Sequence, residues 1–381
     1  LCRDWSSDVC SSDLVGPWFN HEHHDQGSFR VSALGEELIG EAGYTDYYKD
    51  PDYVDYFTQA PAHNTVVIDG DPFSQGDYDG RFWAAFDTHP SLGRHLFSAD
   101  LDYLSANLSP AYHGTLSGYQ REYVFLKPDV LIVRDQLSAS SPHRYTWFLH
   151  APIGAIAQVE KDQAMIQAEG ALASLISVGT VTQWTKEIST TSVNAMGDLD
   201  KGTIEPTQVL RLDSPADTTA DFLVGMRFQK TTDHAASLGA LRTPSNEGFK
   251  IPNGTILFRT GAGSLTVGDM LGGEITAVGD ILAVRQTDGV KEIFLSRGRS
   301  LRQQDHLLFS SNSPVDALLR IGVSTLDIKF DCSVTTNLQI LPDKQPESVS
   351  LDRVSVSLPT PGEPVAFTRL GKGEHTVEIT Y

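Results

Sequence analysis

The sequence predicts an all-β protein, a large antiparallel β-sandwich followed by a small C-terminal β layer. Three observations predict it. Short runs rich in aliphatic and aromatic residues alternate with polar positions, the period of a half-buried strand. Turn signals such as Lys127-Pro128-Asp129 and the 138–142 segment separate these runs at fairly regular spacing. Helical periodicity is scarce, so alternating βα units around a parallel sheet are not expected.

Taken in order, the chain opens on a repeat, Ser6-Ser7-Asp8-Val9-Cys10 and then Ser11-Ser12-Asp13-Leu14. It lacks the basic start and apolar centre of a targeting segment. Ser-Ser-Asp-Leu is also what a common sequencing adapter spells when translated. Residues 1–14 therefore read as an assembly artefact, and a natural N-terminal part is expected to be missing. Extended runs are expected at 29–34, 36–41, 64–69, 95–104, 119–127, 130–137, 144–150, 164–168 and 173–178. The stretch from Tyr119 to Asp135 reads as a central hairpin whose alternating side chains make core. Residues 180–219 are rich in Thr, Ser and Asp and predict long surface loops. Strands resume at 221–228, 255–260, 281–286 and 292–296. The sandwich domain is expected over 15–325 and the small β domain over 326–381, with extended residues at 349–358. His375 is expected at a turn, away from any chemistry.

With 381 residues, 40% of them apolar, the chain can bury a sizeable core. Setting residues 1–14 aside leaves Cys332 alone, so no internal disulfide framework is expected. No apolar run reaches the roughly 18 residues of a membrane helix. The formal charge of −20 argues against nucleic acid or an anionic membrane as partner, since both require basic surface.

The chemistry concentrates between Trp18 and Asp69. Asn20-His21-Glu22-His23-His24-Asp25-Gln26 sets three imidazoles and two carboxylates ahead of the first extended run. Alternate positions of an extended segment face the same way, so His21 and His23 share a face and His24 points elsewhere. Glu41 closes the second run and His63 precedes the third. Strand ends that meet would bring His23, Glu41 and His63 together, and two imidazoles with a carboxylate suit Zn²⁺ or a similar divalent ion. Asp25 is placed to orient one of the imidazoles from behind. Between Glu41 and His63 lie Tyr44, Tyr47, Tyr48, Tyr53 and Tyr56. They form either a platform for sugar rings or a cover for the sandwich edge.

These motifs resemble the heparinase II/III-like polysaccharide lyases, which include alginate and glycosaminoglycan lyases. The matching residues run from His21 to Phe29, from Gly40 to Tyr44 and from Tyr56 to Val66, including Ala62-His63-Asn64-Thr65-Val66. The resemblance covers 18–149 well and the rest loosely. It implies β-elimination on a uronic-acid polysaccharide, with a large helical toroid ahead of the β region that supplies several catalytic groups and the other wall of the cleft. It implies a cleft-lining His21 and a catalytic tyrosine in the loop, for which Tyr48 and Tyr53 are nominated, with Tyr44 and Tyr56 as substrate contacts. The metal, bound by His23, Glu41 and His63, would be structural. The expected compartment is periplasmic or secreted. Two rivals stand beside this reading. One is a non-catalytic carbohydrate-binding sandwich. The other is a cupin-type metal enzyme, disfavoured because its Glu follows the second His within a few residues.

Overall fold

The computed structural model describes residues 9–13, 15–16, 23–43, 52–75, 89–189, 192–193, 203–204, 207–233, 238–268 and 273–381. His21, Tyr44, Tyr47 and Tyr48 lie outside the described residues. The described chain is almost entirely antiparallel β, as the alternation predicts, and falls into two units, Leu1–Gly93 with Phe97–Leu238, and Arg94–Leu96 with Gly239–Tyr381.

The first unit is a sandwich. In its large sheet the strands Ile156–Glu160, Gln163–Gln167, Ala171–Gly179, Asp217–Lys230, Val130–His143, Leu116–Leu126 and Leu101–Asn107 lie side by side in that order. Across the core lies a smaller sheet of Trp184–Ser189, Thr207–Asp213, Tyr145–Ala151 and Val66–Ile68, together with the three-stranded sheet Val9–Asp13, Phe29–Ala33 and Glu36–Ile39. One buried cluster joins them: Tyr119, Tyr123 and Val133 of the large sheet meet Tyr145, Trp147 and Leu210 of the smaller one, with Phe29 and Val31 between. Phe29 sits edge-on to Tyr123 with ring centroids 5.8 Å apart and tilted to Trp147 at 6.3 Å. Such pairs add to the area they bury.

The expected hairpin is present, with Arg121 facing Asp135 and Tyr123 facing Val133. Its core-facing side carries more than hydrocarbon, because Arg121 and Asp135 are both fully buried and paired. A slip of one residue would send both charges to the opposite face, so the ion pair and the aromatic residues specify the same register.

The 180–219 region differs from the loop expectation. Trp184–Ser189 and Thr207–Asp213 are paired strands, and Trp184, Leu210 and Leu212 are buried in the shared core. Lys186 and Glu187 are exposed and Arg211 is partly exposed between the buried Leu210 and Leu212, and these polar positions gave the region its loop-like composition.

The second unit is one antiparallel sheet system. The strands Gly239–Arg242, Asn246–Ile251, Gly254–Arg259, Ile281–Thr287, Val290–Gln303, His306–Ile321, Thr325–Cys332, Gly373–Thr380, Ser348–Leu351 and Val354–Ser355 follow one another in space. Residue 325 opens a strand inside this system, paired on both sides with His306–Ile321 and Gly373–Thr380. His375 lies within a strand opposite Phe330 and not at a turn, its ring 5.5 Å from the phenyl ring. No helix among the described residues is long and apolar enough to cross a membrane.

Candidate metal centre and cleft

Three short connections deliver the chemistry. The first is the turn before Phe29–Ala33, closed by a hydrogen bond from Ser28 N to Asp25 O at 2.8 Å. Gly27 takes φ +80° there, and a Cβ on it would run into the Leu108 side chain. The second follows Glu36–Ile39, where Gly40 bridges to His150 and Ala42 N donates to Ala62 O at 3.2 Å. Glu41 is thereby turned toward the third connection. This is a short 3-10 turn, Ala60–Ala62, with Pro61 in its first positions, ending on an extended His63.

Glu41 and His63 are bonded directly, Oε2 to Nδ1 at 2.5 Å, while Ser28 Oγ donates to the other Glu41 oxygen at 2.6 Å. The remaining ring nitrogen of His63 lies 3.1 Å from Phe57 O. Burial works to depress the His63 pKa, but the charge and hydrogen bond of Glu41, with the charge of Asp25, outweigh it and hold the imidazole above its usual value. Burial likewise works to raise Glu41, and His63 and Ser28 bring it below the ordinary carboxylate value. His23 is pushed down to about 4, by burial first and then by the neighbouring His63. Its ring lies 5.3 Å from that of His63 and edge-on to Tyr53 at 6.3 Å.

Ligand-capable atoms of His23, Asp25 and His63 lie within 4.8 Å of one another, a spacing that one cation could bridge. Sequence reasoning brings His23 and His63 together with Glu41 as third ligand and Asp25 behind an imidazole. In the structure Asp25 completes the compact set, and Glu41 stands against His63 as the partner that orients its ring. These residue types fit a divalent ion: two imidazoles and one carboxylate as donors, with a second carboxylate bonded to one of the two histidines. His24 is buried against Phe73 and takes no part in the set. Tyr53 and Tyr56 lie in the short helical turn Tyr53–Phe57, Tyr53 against His23 and Tyr56 against Phe57.

The centre opens on a cleft of about 760 Å³, whose lining includes His23, Asp25, Glu41, His63, Pro152 and Ile153. That volume is in the range of small-ligand sites.

The residues that hold these connections together carry no ligand signal in the sequence. Asn64 donates from Nδ2 to Phe29 O at 2.7 Å and to Gly40 O at 2.6 Å, and its Oδ1 accepts from His150 N at 2.8 Å and sits 3.0 Å from His150 Nδ1. Gln75 donates to Gln26 O at 2.8 Å and accepts from Gln26 N at 2.8 Å. Arg121 donates to Gly27 O and, at 2.9 Å, to Asn64 O, so one buried guanidinium spans the Asp25 turn and the His63 connection. Asp135 neutralises it through both oxygens and accepts Trp147 Nε1 at 2.7 Å. The available signal was the polar interruption of an apolar hairpin, together with the Gln, Gly and Asn of the motif itself.

Comparison with known proteins accords with this architecture. No curated protein matches the chain. Among solved structures, the Streptomyces coelicolor A3 chondroitin AC lyase in complex with chondroitin sulphate superposes with a TM-score of 0.53 at 12% identity, over 98% of this chain and 47% of that one. The heparan sulfate lyase HepC of Pedobacter heparinus gives 0.50 at 14% identity, over 66% of this chain and 38% of that one. These likenesses are of fold, and this chain spans less than half the length of either structure. The sequence profile described as heparinase II/III-like, C-terminal, matches residues 10–265. The chain belongs to the heparinase II/III-like family, whose C-terminal profile its residues 10–265 match.

Proposed function

We propose that the chain forms the β-sandwich wall of a polysaccharide lyase that cleaves a uronic-acid-containing polymer, alginate or a glycosaminoglycan, by β-elimination. The observation that carries this reading is the convergence of His23, Asp25 and His63 on one cleft in a chain of this family. In β-elimination the C5 carboxylate is neutralised, a base removes the C5 proton, and an acid protonates the departing O4. Each transfer needs a group within hydrogen-bond reach of its proton, and the charge that develops needs donors already in place. His21 is assigned to the sugar, two residues before His23. Tyr53, whose ring meets His23, is assigned with Tyr48 to proton transfer, and Tyr44 and Tyr56 to sugar contact. A helical toroid supplies the opposite wall, and the polymeric substrate sets the enzyme in the periplasm or outside the cell.

A divalent ion, zinc by its donor set, would be held by His23, Asp25 and His63, with Glu41 orienting His63. Its contribution would be structural, the three ligands being held together at the ends of the connections. The protein's own residues do the rest, Asn64 and Arg121 fixing the backbone to which the ligands are attached.

The experiment is to mix the complete gene product with alginate, heparin, chondroitin and hyaluronan and follow the ultraviolet absorbance of the unsaturated product. Absorbance should rise with at least one polymer and be lost in His21→Ala. Silence with all four overturns the lyase assignment and leaves a carbohydrate-binding sandwich.

A further inference from the structure

The walls of the cleft carry a charge pattern that the lyase reading does not itself require. Beyond Asp25 and Glu41, the lining includes Glu36, Glu37 and Glu169. Arg30 is the one Lys or Arg among the described lining residues, and it is occupied: its Nε donates to Glu37 Oε1 at 2.9 Å, and its Nη2 donates to the same oxygen. Glu36 is anchored beside Glu169 by the hydrogen bond from Gly170 N to Glu36 Oε1 at 3.2 Å. The apolar part of the wall comes from Pro152 and from Ile153, which is 40% exposed.

We propose that Glu36, Glu37 and Glu169 act as a charge filter that admits uronate polymers carrying carboxylates alone and turns away sulfated ones. The proposal rests on the uronate-cleft reading. A sulfate ester is anionic at every working pH and is recognised by unpaired guanidinium or ammonium groups. This wall presents a guanidinium already neutralised by Glu37, and carboxylates around it. A non-sulfated uronate brings one carboxylate per uronic acid, the group that the elimination must neutralise in any case. Each added sulfate brings a further charge with no partner and with like charges facing it, the arrangement by which interfaces reject wrong partners. The carboxylates are at least partly open to solvent, so the rejection is screened within a Debye length of about 8 Å at physiological ionic strength. Discrimination therefore belongs to low salt and fades as salt rises.

Matched polymers test this with the complete gene product: chondroitin against chondroitin sulfate, and the desulfated, N-acetylated backbone against heparin. Initial rates from product absorbance at low salt should favour the non-sulfated member of a pair by about tenfold or more, a size set by like-charge rejection. The preference should shrink with added sodium chloride. The triple variant Glu36→Gln, Glu37→Gln, Glu169→Gln should gain rate on the sulfated member and narrow the ratio. Equal or faster turnover of the sulfated member, or a ratio unmoved in the triple variant, overturns the filter. If no polymer yields product, the lyase reading fails separately, and the filter is read from affinity electrophoresis of the same pairs. There, stronger retardation by the non-sulfated member supports it, and equal retardation or none overturns it.

Discussion

Asn64 shows how much of the centre depends on a side chain outside the set of candidate ligands. Its amide satisfies two carbonyls and accepts from one residue's backbone and ring, tying Phe29, Gly40 and His150 to the connection that carries His63. Truncation to alanine would strand two buried carbonyls and an N–H. Asn64→Ala should therefore lower stability by about 3 kcal/mol or more, since each buried polar group left unmade costs about 1–3 kcal/mol. Denaturant unfolding measures this, and a change within the error of the wild type would contradict the role. Gly27 has a different constraint, a left-handed turn pressed against Leu108 whose carbonyl receives Arg121 and Tyr123. The motif reading found His23, His63 and Glu41 because imidazoles and carboxylates announce ligand chemistry. It did not show that Asp25 lies in the compact set with His23 and His63 while Glu41 bonds to His63, since that depends on how the connections fold. This placement makes a prediction. Asp25→Ala should abolish metal binding, whereas Glu41→Gln should weaken it by about 10–100-fold, as loss of an orienting partner does. Isothermal titration with zinc separates the two, and the reverse ranking would restore Glu41 as the ligand.

At the scale of elements, the central hairpin was legible by its alternation, and its buried ion pair was not, because Arg and Asp at alternating positions read as surface. Removing one partner of such a pair costs about 3–5 kcal/mol, so Asp135→Asn should be strongly destabilising. Replacing both partners by apolar residues should not restore stability here, because Gly27 O, Asn64 O and Trp147 Nε1 would lose their partners as well. Thermal melts of Asp135→Asn and of the double apolar variant check this, and a double variant as stable as the wild type would contradict it.

The final strand of the second unit carries a pH-dependent contact. His375 lies between Asp352 Oδ2 at 2.9 Å and Gly371 O at 3.1 Å. Burial depresses its pKa, but those two acceptors, with the charges of Asp352 and Asp331, raise it overall. Burial raises Asp352, and His375 and Thr376 N bring it below the usual value. The histidine's contribution is present below its unfolded value of about 6.5 and is lost as pH rises through the raised folded value. The aspartate's contribution is present above about 3.9 and is lost as pH falls through the lowered one. The difference in melting temperature between wild type and His375→Ala should peak between these limits and shrink above neutrality to the part due to ring packing. A difference independent of pH would contradict the pairing.

For the whole molecule, the sandwich and its family were legible because strand alternation and the spaced His, Glu and Ala-His-Asn-Thr motif lie in local sequence. The 184–189 strand was hidden, because an edge strand with Lys and Glu exposed resembles a loop in composition, and the 207–213 strand inside it was masked by the polar segments on either side. The extent of the second sheet system was equally illegible, since strand partners as distant as 325–332 and 373–380 are set by packing rather than by local pattern. The excess of acid, −20 over the whole chain, reappears locally on the cleft wall.

The account depends most on His23, Asp25 and His63 converging on one ion. The direct measurement is a zinc titration of the chelator-treated chain, with ion content and melting temperature followed together. One ion per chain should bind and raise the melting temperature, because a ligand at about 100 times its Kd stabilises by about 2.7 kcal/mol. Asp25→Ala and His63→Ala should each remove both effects. Failure to take up the ion, or uptake unchanged in both variants, would contradict the centre on which the cleft is built.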